Sequence, residues 1–191
     1  LLVLNWGAHY SADYEHSSAV ASYHNDSIAM ARQVKSVLGS VARDTGRHPG
    51  LVIYRTTSHA HPGCARAREP FAGDMDTRVM WQRVQGTKAL TTYKWDLFPE
   101  YNAAARKAWR AAFGAGDTEL AFMDAAALTE MRPDLHMPRD PGSGRATGGD
   151  CLHYSQKACM NGAPPGARMV EEMGSWWCSL LESIVDAHTR R

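Results

Sequence analysis

Short apolar runs alternate along this chain with longer stretches of helical periodicity. Residues 1–4, Leu1-Leu2-Val3-Leu4, are unbroken apolar and end in Asn5-Trp6-Gly7, which reads as a buried strand entering a loop. Val20, Tyr23, Met30, Val34, Val37 and Leu38 then recur at about helical spacing, with Gly39 as the stop signal. Residues 45–50 form a turn cluster, followed by the clearest strand, Leu51-Val52-Ile53-Tyr54, which is bounded by Gly50 and by Arg55-Thr56-Thr57-Ser58. Residues 59–75 have no periodicity and read as an irregular loop, and a helix is expected around 77–90. Asn102 reads as the cap of a helix over 103–113, ended by Gly114 and Gly116. Leu120-Ala121-Phe122-Met123 is a third strand ending at Asp124, and residues 132–150 are rich in Pro and Gly without a regular pattern. Met169, Met173, Trp176, Trp177, Leu180, Leu181, Ile184 and Val185 mark an amphipathic helix near the C-terminus.

The apolar runs do not alternate with polar residues, and helices separate them. That combination predicts an α/β fold with a parallel sheet covered on both faces. Ligands of such sheets bind beyond the carboxyl ends of the strands. Asn5, Arg55 and Asp124 stand at those ends, and Asp150 and His153 are expected in a later loop.

The bulk numbers narrow the classes. At 191 residues, with 44% hydrophobic and 21% charged content, the chain suits one globular domain spanning 1–191. A net charge of +1 with scattered lysines gives no basic stripe, so no nucleic-acid partner is expected. No run approaches the roughly 18 apolar residues of a membrane span, so membrane contact is expected only through segments outside this chain. The first residues show neither an initiator Met nor a basic leader, and 1–4 resemble an internal strand, so upstream sequence is expected. Cys64, Cys151, Cys159 and Cys178 form no CxxC pair; two disulfides in any of three connectivities, or free buried thiols, both fit.

Four groups of residues carry candidate chemistry. In Gly148-Gly149-Asp150-Cys151-Leu152-His153, a carboxylate three residues before an imidazole can fix its tautomer and make His153 a general base. A turn Asp beside a surface His is the plain alternative. Asn5 can donate its amide to an oxyanion, with Gly7 keeping the site open and His9 as a second polar group; a simple turn former is the alternative. Arg55 can hold a carboxylate, a sugar hydroxyl or an oxyanion, or pair with a structural acid. His59, His61 and Cys64 offer zinc donors, though no second group has the matching spacing, and a substrate loop with a structural Cys fits better. Trp176 and Trp177 can stack on a sugar, but their place in a helical stripe favours core packing.

Several of these pieces match one pattern. Asn5-Trp6-Gly7-Ala8-His9-Tyr10 resembles the N-x-G-x-H-W/Y segment of the PC-esterase group, which contains the trichome-birefringence-like and Cas1p-type sugar O-acetyltransferases of the SGNH/GDSL hydrolase fold. Arg55-Thr56-Thr57-Ser58 with His61-Pro62 is similar to the group's R-T-x-S-x-x-H-P loop, and Arg132-Pro133-Asp134-Leu135-His136 to its R-x-D-x-H segment. Asp150-Cys151-Leu152-His153-Tyr154, followed by Trp176-Trp177-Cys178-Ser179-Leu180-Leu181, resembles its D-C-x-H-W/Y … W-x-x-L-L ending. The matches keep their order along nearly the whole chain.

The resemblance implies a three-layer α/β/α, flavodoxin-like sheet. It implies an O-acyl esterase or O-acetyltransferase acting on carbohydrate or another small acyl ester, in the Golgi lumen or outside the cell. His153 becomes the base, Asp150 its partner, and Asn5, Gly7, His9 and Arg55 the oxyanion or substrate contacts; no metal or organic cofactor is expected. The family's nucleophile is the serine of a Gly-Asp-Ser motif, which this chain lacks. The expectation is therefore an N-terminally incomplete domain whose first strand and nucleophile lie upstream. A non-catalytic carbohydrate-binding relative of the same fold and a metal-dependent hydrolase using His59, His61 and Cys64 are the rivals.

Overall fold

Three parallel strands carry the first half of the architecture: β1 (Leu2–Leu4), β2 (Val52–Arg55) and β3 (Leu120–Met123), in the order β1-β2-β3. The structure is a computed structural model and describes residues 1–10, 15–47, 50–64, 67, 69–73, 79–82, 85–114, 119–137, 150–154 and 168–190. Within them the chain divides into two compact units, one of residues 1–57 and 92–124, the other of residues 58–91 and 125–191.

In the first unit the sheet register is Leu4 beside Tyr54 and Tyr54 beside Phe122, so the three strands end level with one another. Helix α1 (His16–Thr45) connects β1 to β2, and a second long helix, α3 (Phe98–Phe113), leads into β3. Parallel neighbours joined by right-handed crossovers in sequential order place their helices on one face. The two helices accordingly pack on each other. Ala19, Tyr23, Ser27 and Ala31 of α1, four residues apart, and Tyr101, Ala105, Ala108 and Trp109 of α3 are fully buried, and the Tyr23 and Tyr101 rings meet with centroids 4.7 Å apart. Small residues in both stripes let the backbones approach. Two polar links fix the pair: His24 Nδ1 lies 3.1 Å from the Ala104 carbonyl, and Lys35 donates to the Phe113 carbonyl at 2.6 Å, where a cation also suits the helix C-terminus.

The central strand β2 has Val52, Ile53 and Tyr54 fully buried, as its unbroken apolar run predicts. Tyr54 packs its ring on Trp109 at 5.1 Å and shares a 2.7 Å hydrogen bond with the Tyr23 hydroxyl. The first strand is less enclosed than expected, because it is an edge of the sheet: Val3 is 44% exposed and Leu1 71%.

Two helix boundaries differ from the sequence reading. Gly39 does not stop α1; it sits inside the helix, where glycine costs only about 1 kcal/mol relative to alanine. The stop is Gly46, which takes the left-handed conformation (φ 62°) that L side chains avoid. Helix α3 begins at Phe98 with Pro99 in its first turn, so Asn102 lies within it and not at its cap.

The second unit holds α2 (Lys88–Thr91), α4 (Ala125–Thr129), a 3-10 turn (Pro133–Leu135), β4 (His136–Met137), β5 (Asp150–Tyr154) and α5 (Arg168–Thr189). The long C-terminal helix falls where the apolar stripe predicts it. Of the helix expected around 77–90, residues 79–82 and Lys88–Thr91 are helical, residues 85–87 between them form a turn, and residues 74–78, 83 and 84 lie outside the described residues. Strands β4 and β5 pair antiparallel, with His136 opposite Tyr154 and Met137 opposite Asp150. A disulfide joins Cys64 to Cys151 across 87 residues of sequence, and Cys178 is also disulfide-bonded.

Candidate functional site

The carboxyl end of the parallel sheet gathers the first set of candidate residues. Asn5 follows β1, Arg55 closes β2 and Asp124 follows β3. Asn5 donates through Nδ2 to the Arg55 carbonyl at 2.9 Å and to the Thr57 hydroxyl at 3.2 Å. Both hydrogens of its amide are therefore engaged in holding the loop. An oxyanion donor needs a free hydrogen, so here Asn5 is a loop tie.

Gly7 is corrected in the same sense. It is buried, and a Cβ built on it would collide with the Thr57 hydroxyl and meet the Tyr23 hydroxyl at 3.0 Å. Glycine is needed for close packing, not to leave a cleft open.

The Thr56-Thr57 segment is held from several sides. Asn102 accepts the Thr57 backbone N–H at 2.7 Å and donates to the Thr57 carbonyl at 2.9 Å, which fixes the orientation of its own amide. Thr56 donates to Asp124 at 3.1 Å, and Asp124 pairs with Arg106 at 2.6 Å. Burial pulls the Arg55 guanidinium below its ordinary value, but arginine stays charged at any physiological pH. Asn102 and Arg106 were not legible as loop-holding residues, because the loop they hold, directly or through Asp124, lies 45 residues or more away in sequence. The Asn102 position inside a helix, polar yet on the buried stripe with Tyr101 and Ala105, was the available signal.

In the second unit Asp150 and His153 lie on β5, not in a loop before a helix. Residues three apart on a regular strand fall on opposite faces. This strand is not regular: two residues of β4 span five of β5, so 151–153 depart from the ladder and the alternation is interrupted. The His153 side chain is exposed. Gly148 and Gly149 lie outside the described residues, as do Cys159 and the side chains of His9, Asp150, Trp176 and Trp177.

Around that strand is a buried polar cluster that sequence reasoning missed. His61 is 1% exposed, His136 7% and Tyr154 6%. His61 Nε2 is 2.8 Å from the Glu130 carbonyl, and its Nδ1 is 2.8 Å from His136 Nε2 and 2.9 Å from the Tyr154 hydroxyl. Tyr154 also reaches the carbonyls of His59 and Thr129 at 3.0 and 3.2 Å. His136 Nδ1 lies 3.2 Å from the carbonyl of His153 itself. Nearby, Arg132 and Asp134 form a bidentate pair with both contacts at 3.0 Å. Burial drives the His61 pKa down to about 3, against a smaller upward pull from the Glu130 carbonyl. Burial likewise raises the Tyr154 phenol well above its ordinary value.

The zinc reading loses its thiolate. Cys64 is bonded to Cys151, its N–H faces the Cys151 sulfur at 3.1 Å, and both ring nitrogens of His61 are within hydrogen-bond reach of protein groups. A disulfide sulfur is not a zinc ligand of the Cys type. The same bond removes Cys64 and Cys151 as nucleophiles.

The class defined by the fold is a mixed α/β protein with a three-stranded parallel sheet. Comparison of the chain with protein-family models, with curated proteins and with solved structures returned no match.

Proposed function

We propose that this chain carries the acid–base half of a serine-dependent O-acyl esterase or O-acyltransferase of the SGNH type, acting on an acylated carbohydrate. One observation carries the reading: segments picked from the sequence by their resemblance come together in space within each unit. Asn5 and Gly7 meet Arg55-Thr56-Thr57 at the sheet's carboxyl end. His61, His136 and Tyr154, each from a different quoted segment, meet in one hydrogen-bonded cluster. Chance matches to a pattern have no reason to converge.

In this reading a serine outside the chain attacks the acyl carbon while His153 removes its proton. The tetrahedral oxyanion collapses and expels the first alcohol, which takes the proton back from His153. Water or a sugar hydroxyl then attacks the acyl-enzyme, again delivering its proton to His153, and the serine is regenerated. Asp150 holds the imidazole in one tautomer and steadies the imidazolium. Arg55 is the remaining candidate to receive the oxyanion, since the Asn5 amide is engaged. The SGNH three-layer α/β/α arrangement and a Golgi or extracellular setting belong to the same proposal. The Cys64–Cys151 bond suits an oxidising compartment.

The test is turnover of an acetylated sugar by the protein carrying its upstream sequence. Loss of a positioned general base costs a factor on the order of 10²–10⁴, so His153→Ala and Asp150→Asn should both fall in that range. Turnover of His153→Ala near the parent's would remove the proposed base. A parent that binds the sugar without hydrolysis or transfer would favour the non-catalytic relative.

A further inference from the structure

The four ring nitrogens of His61 and His136 lie on one string of hydrogen bonds that ends on a backbone carbonyl at each side. From one end it runs from the Glu130 carbonyl to His61 Nε2 at 2.8 Å, from His61 Nδ1 to His136 Nε2 at 2.8 Å, and from His136 Nδ1 to the His153 carbonyl at 3.2 Å. A carbonyl can only accept, so both outer nitrogens must carry a proton. A neutral imidazole has one proton in total. Two neutral rings would therefore meet at 2.8 Å with lone pair facing lone pair. Three bonds need three protons, and two neutral rings bring two.

We infer that the folded chain holds the third proton on His136, making it an imidazolium clasp between His61 and the backbone of His153. His136 is the better carrier on geometry. It is the less buried ring, and the Tyr154 ring lies over it with centroids 4.1 Å apart, a placement that favours a cation. His61 is left neutral, donating through Nε2 and accepting through Nδ1, as its burial requires. Tyr154 adapts to either state. With His136 charged, its hydroxyl proton goes to the carbonyl of His59 or Thr129; with His136 neutral, it can turn to His61 Nδ1.

Among the described residues, the groups facing the pair come from four elements. They are His59 and the Phe71 ring, the latter 5.4 Å from His61, from the loop after β2; Thr129 and the Glu130 carbonyl at the end of α4; Arg132 and Asp134 at the 3-10 turn; and Tyr154 on β5. Asp134 attracts positive charge at His61, and Arg132 shares that carboxylate. When His136 gives up its proton, it keeps either its bond to His61 or its bond to the His153 carbonyl, not both. The inference holds whatever the chain catalyses. Its consequence, that proton release loosens the strand carrying the base, rests on the proposed acyl-transfer function.

Long-range ¹H–¹⁵N correlation spectra of the full chain labelled with [¹⁵N]histidine test the inference directly. At pH 7.5, both nitrogens of His136 should resonate as protonated, His61 should show one protonated nitrogen, Nε2, and His136 should titrate above the ordinary histidine value of about 6.5. A one-proton pattern for His136 at pH 7.5, or a midpoint below that value, overturns it. His136→Gln supplies the assignment by loss of signal; if that variant does not fold, through-bond assignment of the parent reads the same two nitrogens. Inactive or active, His153→Ala leaves this readout in place, so failure of the enzyme reading and failure of the clasp are separate results.

Discussion

Acidification should destabilise this protein through His61 before its carboxylates are protonated. The ring is 1% exposed and its pKa is held near 3, chiefly by burial, with the His136 ring adding to the depression. In the unfolded chain the same group titrates at about 6.5. The folded state therefore keeps His61 neutral at a pH where the unfolded state binds a proton. Stability from this group is fully present above about pH 6.5 and is lost as pH falls toward 3. Three and a half pH units at about 1.4 kcal/mol each give a total near 5 kcal/mol. By pH 5 the loss should already be about 2 kcal/mol. Urea unfolding at pH 7.5, 6 and 5 measures it, as the difference between the parent and His61→Gln. Glutamine supplies one donor and one acceptor but does not titrate, the histidines outside the pair cancel in the difference, and the His136 spectrum in both proteins reads any change in its own titration. The parent should lose about 2 kcal/mol more than the variant over that range. Parallel pH curves would refute the reasoning, as would an imidazolium spectrum of His61 at pH 5. The His136 clasp adds a loss in the opposite direction, at alkaline pH, so the pair should give stability a maximum near neutrality.

Replacing both Cys64 and Cys151 by serine should lower stability by about 4–5 kcal/mol on the chain-entropy account of an 87-residue separation, measured by urea unfolding of the oxidised parent and the variant. Gly7→Ala should cost about 1–3 kcal/mol by overpacking against Thr57; in a double-mutant cycle Thr57→Ala should recover part of that loss, and strict additivity would show that the hydroxyl is not the obstacle. Asn102→Ala should cost about 2–4 kcal/mol, because it removes the partners of both the N–H and the carbonyl of Thr57; a change under 0.5 kcal/mol would mean that water replaces the amide.

The elements that could be read from the sequence were those whose signal is local. Leu51 to Tyr54 and Leu120 to Met123 are apolar runs with no alternation, and both form parallel strands, paired with each other. The C-terminal stripe forms one helix, as its period demands. Glycine was ambiguous as a stop because its effect depends on φ, which sequence does not carry: Gly39 is helical and Gly46 left-handed. The hairpin of β4 and β5 was hidden because β4 has two residues and its partner begins thirteen residues later, beyond any window of periodicity. Asn5 and Gly7 could be placed at the sheet's end, but not assigned a role, because that depends on Thr57, about fifty residues away. The His61–His136–Tyr154 cluster spans 75 and 93 residues. Its members were all visible at the ends of the resembling segments, yet nothing local says that an imidazole is buried.

The link between Cys64 and Cys151 also bears on biosynthesis. No other cysteine lies between Cys64 and Cys151. At the usual pace of about 5–20 residues per second, Cys64 waits roughly 4–17 s for its mate. During that interval the residues that follow it bring no wrong partner, and the first cysteine among them is the right one. Mispairing with the later cysteines becomes open when Cys159 and Cys178 follow, so an oxidant present early in synthesis should give a higher yield of correctly bridged protein than one applied to the finished, reduced chain.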